Sequence, residues 1–338
     1  MRASVVPASA HIQFLLAEGP LWDHRSQCLY FVDILDNLIC GFKPPAQVFR
    51  ISVLPFLSPS FVAFTCNPDQ FFVACSTGML MIYVERCPVA SEHSAVQVRD
   101  MVRVPLQGLV LRNGGRPLRL NDGKVCPSGS SMVAGTMQEK RFAAEDRDIG
   151  SASVYVIQPP TAVKLSIIGP VTLSNGLDWS LDGNTLYFID TAADRIVSVP
   201  WEDPQGGSVE VLWELEQRYR DQGSRLDGMC VDAQGQLWVA LIGGGLILRI
   251  DPLLEHSARV TLEVTIPGAP LVTSCCFGGA DLRTLFVTTA TRTTHESCHH
   301  SGVNGGKLFS VDMDGVASGR VANYFNDGEN NQLQLSML

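Results

Sequence analysis

Ser174-Asn-Gly-Leu-Asp-Trp179 leads through Leu181-Asp-Gly183 into Thr185-Leu-Tyr-Phe-Ile-Asp190. The order is a polar residue, a glycine, an apolar step, a turn and a strand-like run. It returns along the chain. Glu18-Gly-Pro-Leu-Trp22 precedes Leu29-Tyr-Phe-Val-Asp33, and Asp227-Gly-Met-Cys-Val231 precedes Gln236-Leu-Trp-Val-Ala240. Asn121-Asp-Gly-Lys-Val125 is a looser copy. Ser60-Phe-Val-Ala-Phe64 and Thr273-Ser-Cys-Cys-Phe277 are weaker ones, the last followed by Thr284-Leu-Phe-Val-Thr288. Repetition at a fixed register denotes a repeated supersecondary unit.

The six openings, at positions 18, 60, 121, 175, 227 and 273, are 42, 61, 54, 52 and 46 residues apart. Each interval holds about four short strands with their turns, the content of one propeller blade. The chain is therefore expected to be all-β, a six-bladed β-propeller in a single domain over 1–338, with its core at about 12–325. Gly306-Lys-Leu-Phe-Ser-Val311 belongs to the sixth unit or closes the ring, and the tail 326–338 has little core character. The longer intervals require inserted loops, one within 84–115. Gln138 to Asp148 reads as a charged loop and a candidate lid. Trp213 to Asp221 offers one short helix. A β-sandwich leaves the recurring polar position without a reason.

Composition narrows the function. The chain has 338 residues, 46% of them apolar and 17% charged, with net charge -9. That suffices for a large core and argues against a nucleic acid or an anionic membrane as partner, since both need a basic face. No apolar run is long enough to span a bilayer, and the first residues lack a signal-peptide pattern. Many of the ten cysteines fall in strand-like runs, as small buried hydrophobes do. A cytoplasmic protein with reduced thiols is expected, and the sequence is compatible with a monomer.

The first strand of each blade lines the central channel, so one register position in six blades forms a ring. That ring is Glu18, Ser60, Asn121, Asn175, Asp227 and Thr273, all polar. Two carboxylates and two amides on one axis are costly unless compensated. One divalent cation would compensate them. Oxygen donors suit Ca²⁺, Mg²⁺ or Mn²⁺, and carboxylates also hold Zn²⁺. The glycine after three of these residues permits close backbone approach or a sharp turn.

Taken together, the motifs resemble the senescence marker protein / gluconolactonase / regucalcin family of six-bladed propeller hydrolases, over roughly residues 12–325. Ala17-Glu-Gly-Pro-Leu-Trp22, Arg119-Leu-Asn-Asp-Gly-Lys124 with Ala134-Gly-Thr-Met137, Ser174 to Trp179, Leu226-Asp-Gly-Met-Cys230 and Thr273-Ser-Cys-Cys-Phe-Gly278 carry the resemblance. It implies hydrolysis of a small-molecule sugar lactone with a bound divalent cation. It places Glu18, Asn175 and Asp227 at metal-ligand positions, and Arg119 and Asn121 at substrate-contact positions. The chain departs from the pattern at Lys140, where some members carry an acidic substrate-contacting residue. Either the charge at the pocket mouth is reversed, or the neighbouring Glu139 takes over.

On this reading Asp227 is the general base, and Arg119 holds a substrate oxygen or stabilises developing oxyanion charge. Asn121 hydrogen-bonds substrate hydroxyls or reaches the metal through water. Asp122 is expected to turn away and stabilise a turn. Alternatives are a non-sugar lactone or phosphotriester as substrate, or a calcium-binding regulatory propeller with residual activity. His295-Glu-Ser-Cys-His-His300 reads as a solvated loop, Ile242-Gly-Gly-Gly245 as a blade turn, and Trp22 and Trp179 as core. No Gly-x-Ser-x-Gly or evident Cys–His pair supports nucleophilic catalysis.

Overall fold

The computed structural model describes residues 3–45, 47–52, 57–86, 96–113, 115–139, 150–164, 168, 170–202, 208–253, 258–292, 302–326 and 336–337. The described residues form six antiparallel sheets arranged as a six-bladed β-propeller. Their only α-helix is the single turn Gln217–Arg220. The helix expected from Trp213 shrinks to this turn, because Glu210–Glu214 pairs with Arg195–Pro200 as the outer strand of the fourth blade. Among the described residues no helix is long and apolar enough to cross a membrane. Lys140, most of the proposed lid at 140–148, His295 to His300, and residues 327–335 and 338 of the tail lie outside the described residues.

Each blade opens on one of the recurring motifs. The inner strands are Ala17–Asp23, Phe61–Phe64, Arg116–Val125, Ser174–Trp179, Arg225–Val231 and Val272–Gly278. The strand-like run after each turn is the second strand, and it is buried at all or all but one of its positions. Cys28–Asp33, for example, is buried at every position, as a strand covered on both faces by neighbouring blades must be. The sixth blade takes Phe309–Asp312 as its third strand, and Ala3–Val5 pairs with that strand at the outer edge. The first strand of the chain thus ties the ring shut next to the last blade. At the other end, Ser336–Met337 adds to the edge of the second blade.

Aromatic pairs fill the wedges between blades. Trp22 stacks on Phe286 at 5.6 Å, and Trp179 meets Trp201 edge-on at 5.4 Å. The glycines of the motif serve close approach. A Cβ on Gly228 would stand 2.0 Å from Ser274 Oγ of the next blade, and one on Gly176 would stand 2.4 Å from Met229 N. Ile242 to Gly245 is the turn between the second and third strands of the fifth blade.

Beyond the sixth blade the chain crosses the face on which all six inner strands end. Ser318 O accepts from Ala233 N, and Gly319 N donates to Leu282 O. Arg320 Nη2 donates to Trp179 O at 3.0 Å and pairs with Asp178 at 3.2 Å. Asn323 Nδ2 donates to Val125 O, Tyr324 Oη donates to Asp23, and Phe325 N donates to Phe64 O. Arg25 lies over the Tyr324 ring. This strap therefore touches every blade.

Above the strap lies a channel cavity of about 150 Å³. Its wall includes the residues three positions beyond the recurring polar residue: Leu21, Ala63, Lys124, Asp178, Cys230 and Cys276. Lys124 Nζ contacts Asp178 at 2.8 Å, so Asp178 bridges Lys124 and Arg320. Burial works against ionisation of Asp178, but the two cations and the Trp179 N–H outweigh it and hold the carboxyl below its ordinary range. Asp178→Ala leaves two cations without their shared counter-charge. It is expected to destabilise the protein by about 3–5 kcal/mol, read as a lowered midpoint in urea unfolding, with Asp178→Asn intermediate.

Candidate active site

The polar ring forms because the inner strands do not keep strict alternation. Their pairing with the second strand slips between Glu18 and Leu21, Leu120 and Gly123, Ser174 and Leu177, Leu226 and Met229, and Val272 and Ser274. A slip of this kind inserts residues that have no partner opposite and re-aims their side chains. The second blade lacks it: Phe61–Phe64 pairs in unbroken register with Gln70–Cys75.

Four of the expected site residues form one hydrogen-bonded chain across three blades. Arg119 Nη1 donates to Asn121 Oδ1 at 2.7 Å. Asn121 Nδ2 donates to Asn175 Oδ1 at 3.2 Å and to Ser174 O at 2.7 Å. Asn175 hydrogen-bonds the Asp227 carboxylate. Its Nδ2 also donates to Thr191 Oγ1 at 2.9 Å, and that hydroxyl donates to Leu226 O at 2.8 Å. Thr191, which the sequence reading did not single out, thereby fixes which way the Asn175 amide faces.

Glu18 joins the group electrostatically. It interacts with Arg119, Asp122 and Asp227. Burial, followed by the nearby Asp122, pushes its carboxyl up to about 8, against the opposing pull of the Gly19 N–H and Arg119. Asp227 is pushed well above the carboxylate range by burial, then by Glu18 and Asp122. Arg119 is only 4% exposed, and burial lowers its pKa even with Glu139, Glu18, Asp122 and Asp227 around it.

One expectation changes here. Asp122 does not turn away. It interacts with Glu18 and Asp227 and lines the cavity, and burial lifts its carboxyl to about 6 against Lys124 and Arg119. The slip between Leu120 and Gly123 lets both Asn121 and Asp122 reach the channel side. The sequence carried a trace of this, because the third motif holds one residue more before its glycine than the others. Glu139 is the carboxylate that most strongly attracts Arg119, and its Oε2 is buried without a hydrogen-bond partner.

The remaining ring members do structural work or stand apart. Thr273 Oγ1 donates to Ala17 O at 2.6 Å, tying the sixth blade to the first. Ser60 is buried just before the second inner strand, and its Oγ has no partner.

The donor set fits a hard cation. Three carboxylates lie together with amide oxygens; burial above all, and for Glu18 and Asp227 also their carboxylate neighbours, disfavours their charged forms, a cost that a divalent ion would relieve. Among the described residues no three His, Cys, Asp or Glu side chains by themselves make a metal group, so the fit depends on Asn175 beside Glu18 and Asp227.

The structure is a closed six-bladed propeller with acids, amides and a buried arginine converging at its channel, an architecture that hosts many functions. The comparisons narrow these. The family model for the SMP-30/Gluconolactonase/LRE-like region matches residues 16–291, and the chain belongs to that family. It is 32% identical over 307 residues to the Bacillus subtilis (strain 168) protein named "Putative sugar lactone lactonase YvrE", covering 90% of this chain and 94% of that one. It is 36% identical over 277 residues to regucalcin of Danio rerio, covering 81% and 83%. Among solved structures, a luciferin-regenerating enzyme superposes with a TM-score of 0.73 at 24% identity, covering 96% of this chain and 99% of its own. A calcium-binding regucalcin from Agrobacterium tumefaciens superposes with 0.72 at 22%, covering 95% and 96%. These two structures bear on the fold alone.

Glu18 and Asp227 hold protons that the unfolded chain releases above about 4.5. The contribution of Glu18 to folding is present at low pH and is lost as pH rises through about 8, and Asp227 acts in the same direction. Chelator-treated protein is expected to show a falling Tm across that window. Glu18→Gln should flatten the fall, and an added divalent cation should offset it while releasing protons. A Tm that rises across the window in chelator would contradict this assignment.

Proposed function

We propose that the protein is a divalent-metal-dependent hydrolase that opens a sugar lactone to the corresponding acid. The observation that carries this reading is the unbroken chain Arg119–Asn121–Asn175–Asp227 beside Glu18. A site for binding metal alone has no use for a buried arginine held against an asparagine. Membership of the lactonase-containing family supports the same reading.

Glu18, Asn175 and Asp227 would hold the cation, and in its place it supplies Lewis acidity toward the lactone carbonyl. Asp227 accepts the proton of the attacking water. Its carboxylate is oriented by Asn175, whose amide is fixed in turn by Thr191. Arg119 spends Nη1 on Asn121 and on Leu120 O. Its remaining N–H donors face the oxygen that gains charge as the ring opens. Asn121 fixes Arg119 and presents the polar edge that meets substrate hydroxyls. Glu139 counters the Arg119 charge, and Lys140, the substrate contact proposed from the sequence, follows it directly in the chain. The partner is a small uncharged ring ester, neither nucleic acid nor membrane.

Acid release from a panel of aldonolactones and non-sugar lactones, measured with Ca²⁺, Zn²⁺, Mg²⁺ and Mn²⁺ in turn, tests the reading. Asp227→Ala is expected to lower kcat about 10²–10⁴-fold, and Arg119→Ala to raise KM while lowering kcat. Full turnover in Asp227→Ala overturns the base assignment. Cation binding without turnover of any ring ester replaces the enzyme by a cation-binding propeller.

A further inference from the structure

The fifth and sixth inner strands carry a pair of sulfurs with no part in the proposed chemistry. Cys230 Sγ and Cys275 Sγ are 3.8 Å apart, the one on Arg225–Val231 and the other on Val272–Gly278. Both residues are buried, yet both line the channel cavity. The backbones are already close beside them. The Cβ that Gly228 lacks would stand 2.9 Å from the Cα of Ser274, the residue next to Cys275. Cys230 also lies within the electrostatic reach of the Lys124 ammonium on the cavity wall. The two sulfurs face each other from neighbouring inner strands at 3.8 Å, and an S–S bond would bring them to ~2 Å.

We propose that Cys230 and Cys275 are a modification site: a thiol pair that a small peroxide reaching the cavity converts to a disulfide across the fifth and sixth blades. The Cys230 sulfur gives up its proton and attacks one oxygen of hydrogen peroxide. The O–O bond breaks, water leaves, and Cys230 becomes a sulfenic acid. Cys275 Sγ then displaces the sulfenic oxygen as a second water, forming the S–S bond. Two electrons pass from the two sulfurs to the peroxide, so the step balances without another reductant. Cys275 Sγ is already directed at Cys230, with Trp238 O as its other partner at 3.5 Å. Cys276, the next residue, lines the same cavity but packs on the opposite side of the strand, with the first-blade cluster of Trp22 and Phe42. The pairing is therefore specific to Cys275.

The full-length protein is reduced, freed of reductant and treated with hydrogen peroxide. It is then unfolded in iodoacetamide, digested and mapped by mass spectrometry. The expected product is a Cys230–Cys275 crosslinked peptide, two hydrogens lighter than the sum of its parts, with both residues lost from the alkylated pool and both returned by a thiol reductant. Cys230→Ser and Cys275→Ser should each abolish the crosslinked peptide, and the serine in Cys275→Ser keeps a donor for Trp238 O. Exposed Cys66 serves as the reference for general oxidation. Alkylation of Cys230 and Cys275 after Cys66 has been oxidised overturns the proposal, and so does a Cys230–Cys276 crosslink. The mapping on the unsubstituted chain decides even where a variant fails to fold, and it does not depend on lactone turnover.

Discussion

A strand in strict alternation shows one face of a channel only every second residue. That constraint governs this molecule, because a site on the axis needs acids and amides from several blades at one height. The pairing slips in the inner strands relax it. At Leu120/Gly123 the slip brings Asn121 and Asp122 to the same side; at Leu226/Met229 it re-aims Asp227. The glycines beside these slips let the next strand come close enough for Asn121 to reach Asn175, and Asn175 to reach Asp227. Without the slips the polar residues would divide between channel and core, and half of them would be buried unsatisfied at a cost of about 1–3 kcal/mol each.

The crowding that results is unfavourable by itself. Glu18 and Asp227 are kept from ionising together, and Arg119 is too deeply buried to neutralise three carboxylates. The propeller tolerates this because its stability comes from elsewhere: second strands buried over nearly their whole length, aromatic wedges, an N-terminal strand that closes the ring and a strap that laces it. Electrostatic strain at the axis is carried by a rigid surround.

The fold was legible because register repetition survives when residue identity does not. Thr273-Ser-Cys-Cys-Phe277 shares almost nothing with Glu18-Gly-Pro-Leu-Trp22 except its place before a turn and a strand, yet both are inner strands. The hydrogen-bonded core of the site was legible for the same reason. Asp122 was misjudged because alternation was assumed at the one place where pairing slips. Thr191 and Glu139 lie outside the repeated motif, so no register pointed to them. Lys124 and Asp178 did stand in the pattern. They hold the same position in neighbouring blades with opposite charge, which is the arrangement that pairs them at 2.8 Å. The strap escaped notice because Ser318 to Asn326 has no strand periodicity; its backbone and side-chain hydrogen bonds go to partners scattered over all six blades.

That strap has a consequence for traffic. A propeller channel left open at both ends would let water and small solutes pass straight through. Here Arg320 to Asn323 form the floor of the cavity, and the segment is fastened to the ends of the inner strands all around the ring. At that end the cavity has a floor, so a small molecule resting on it is backed by protein and not by an open channel.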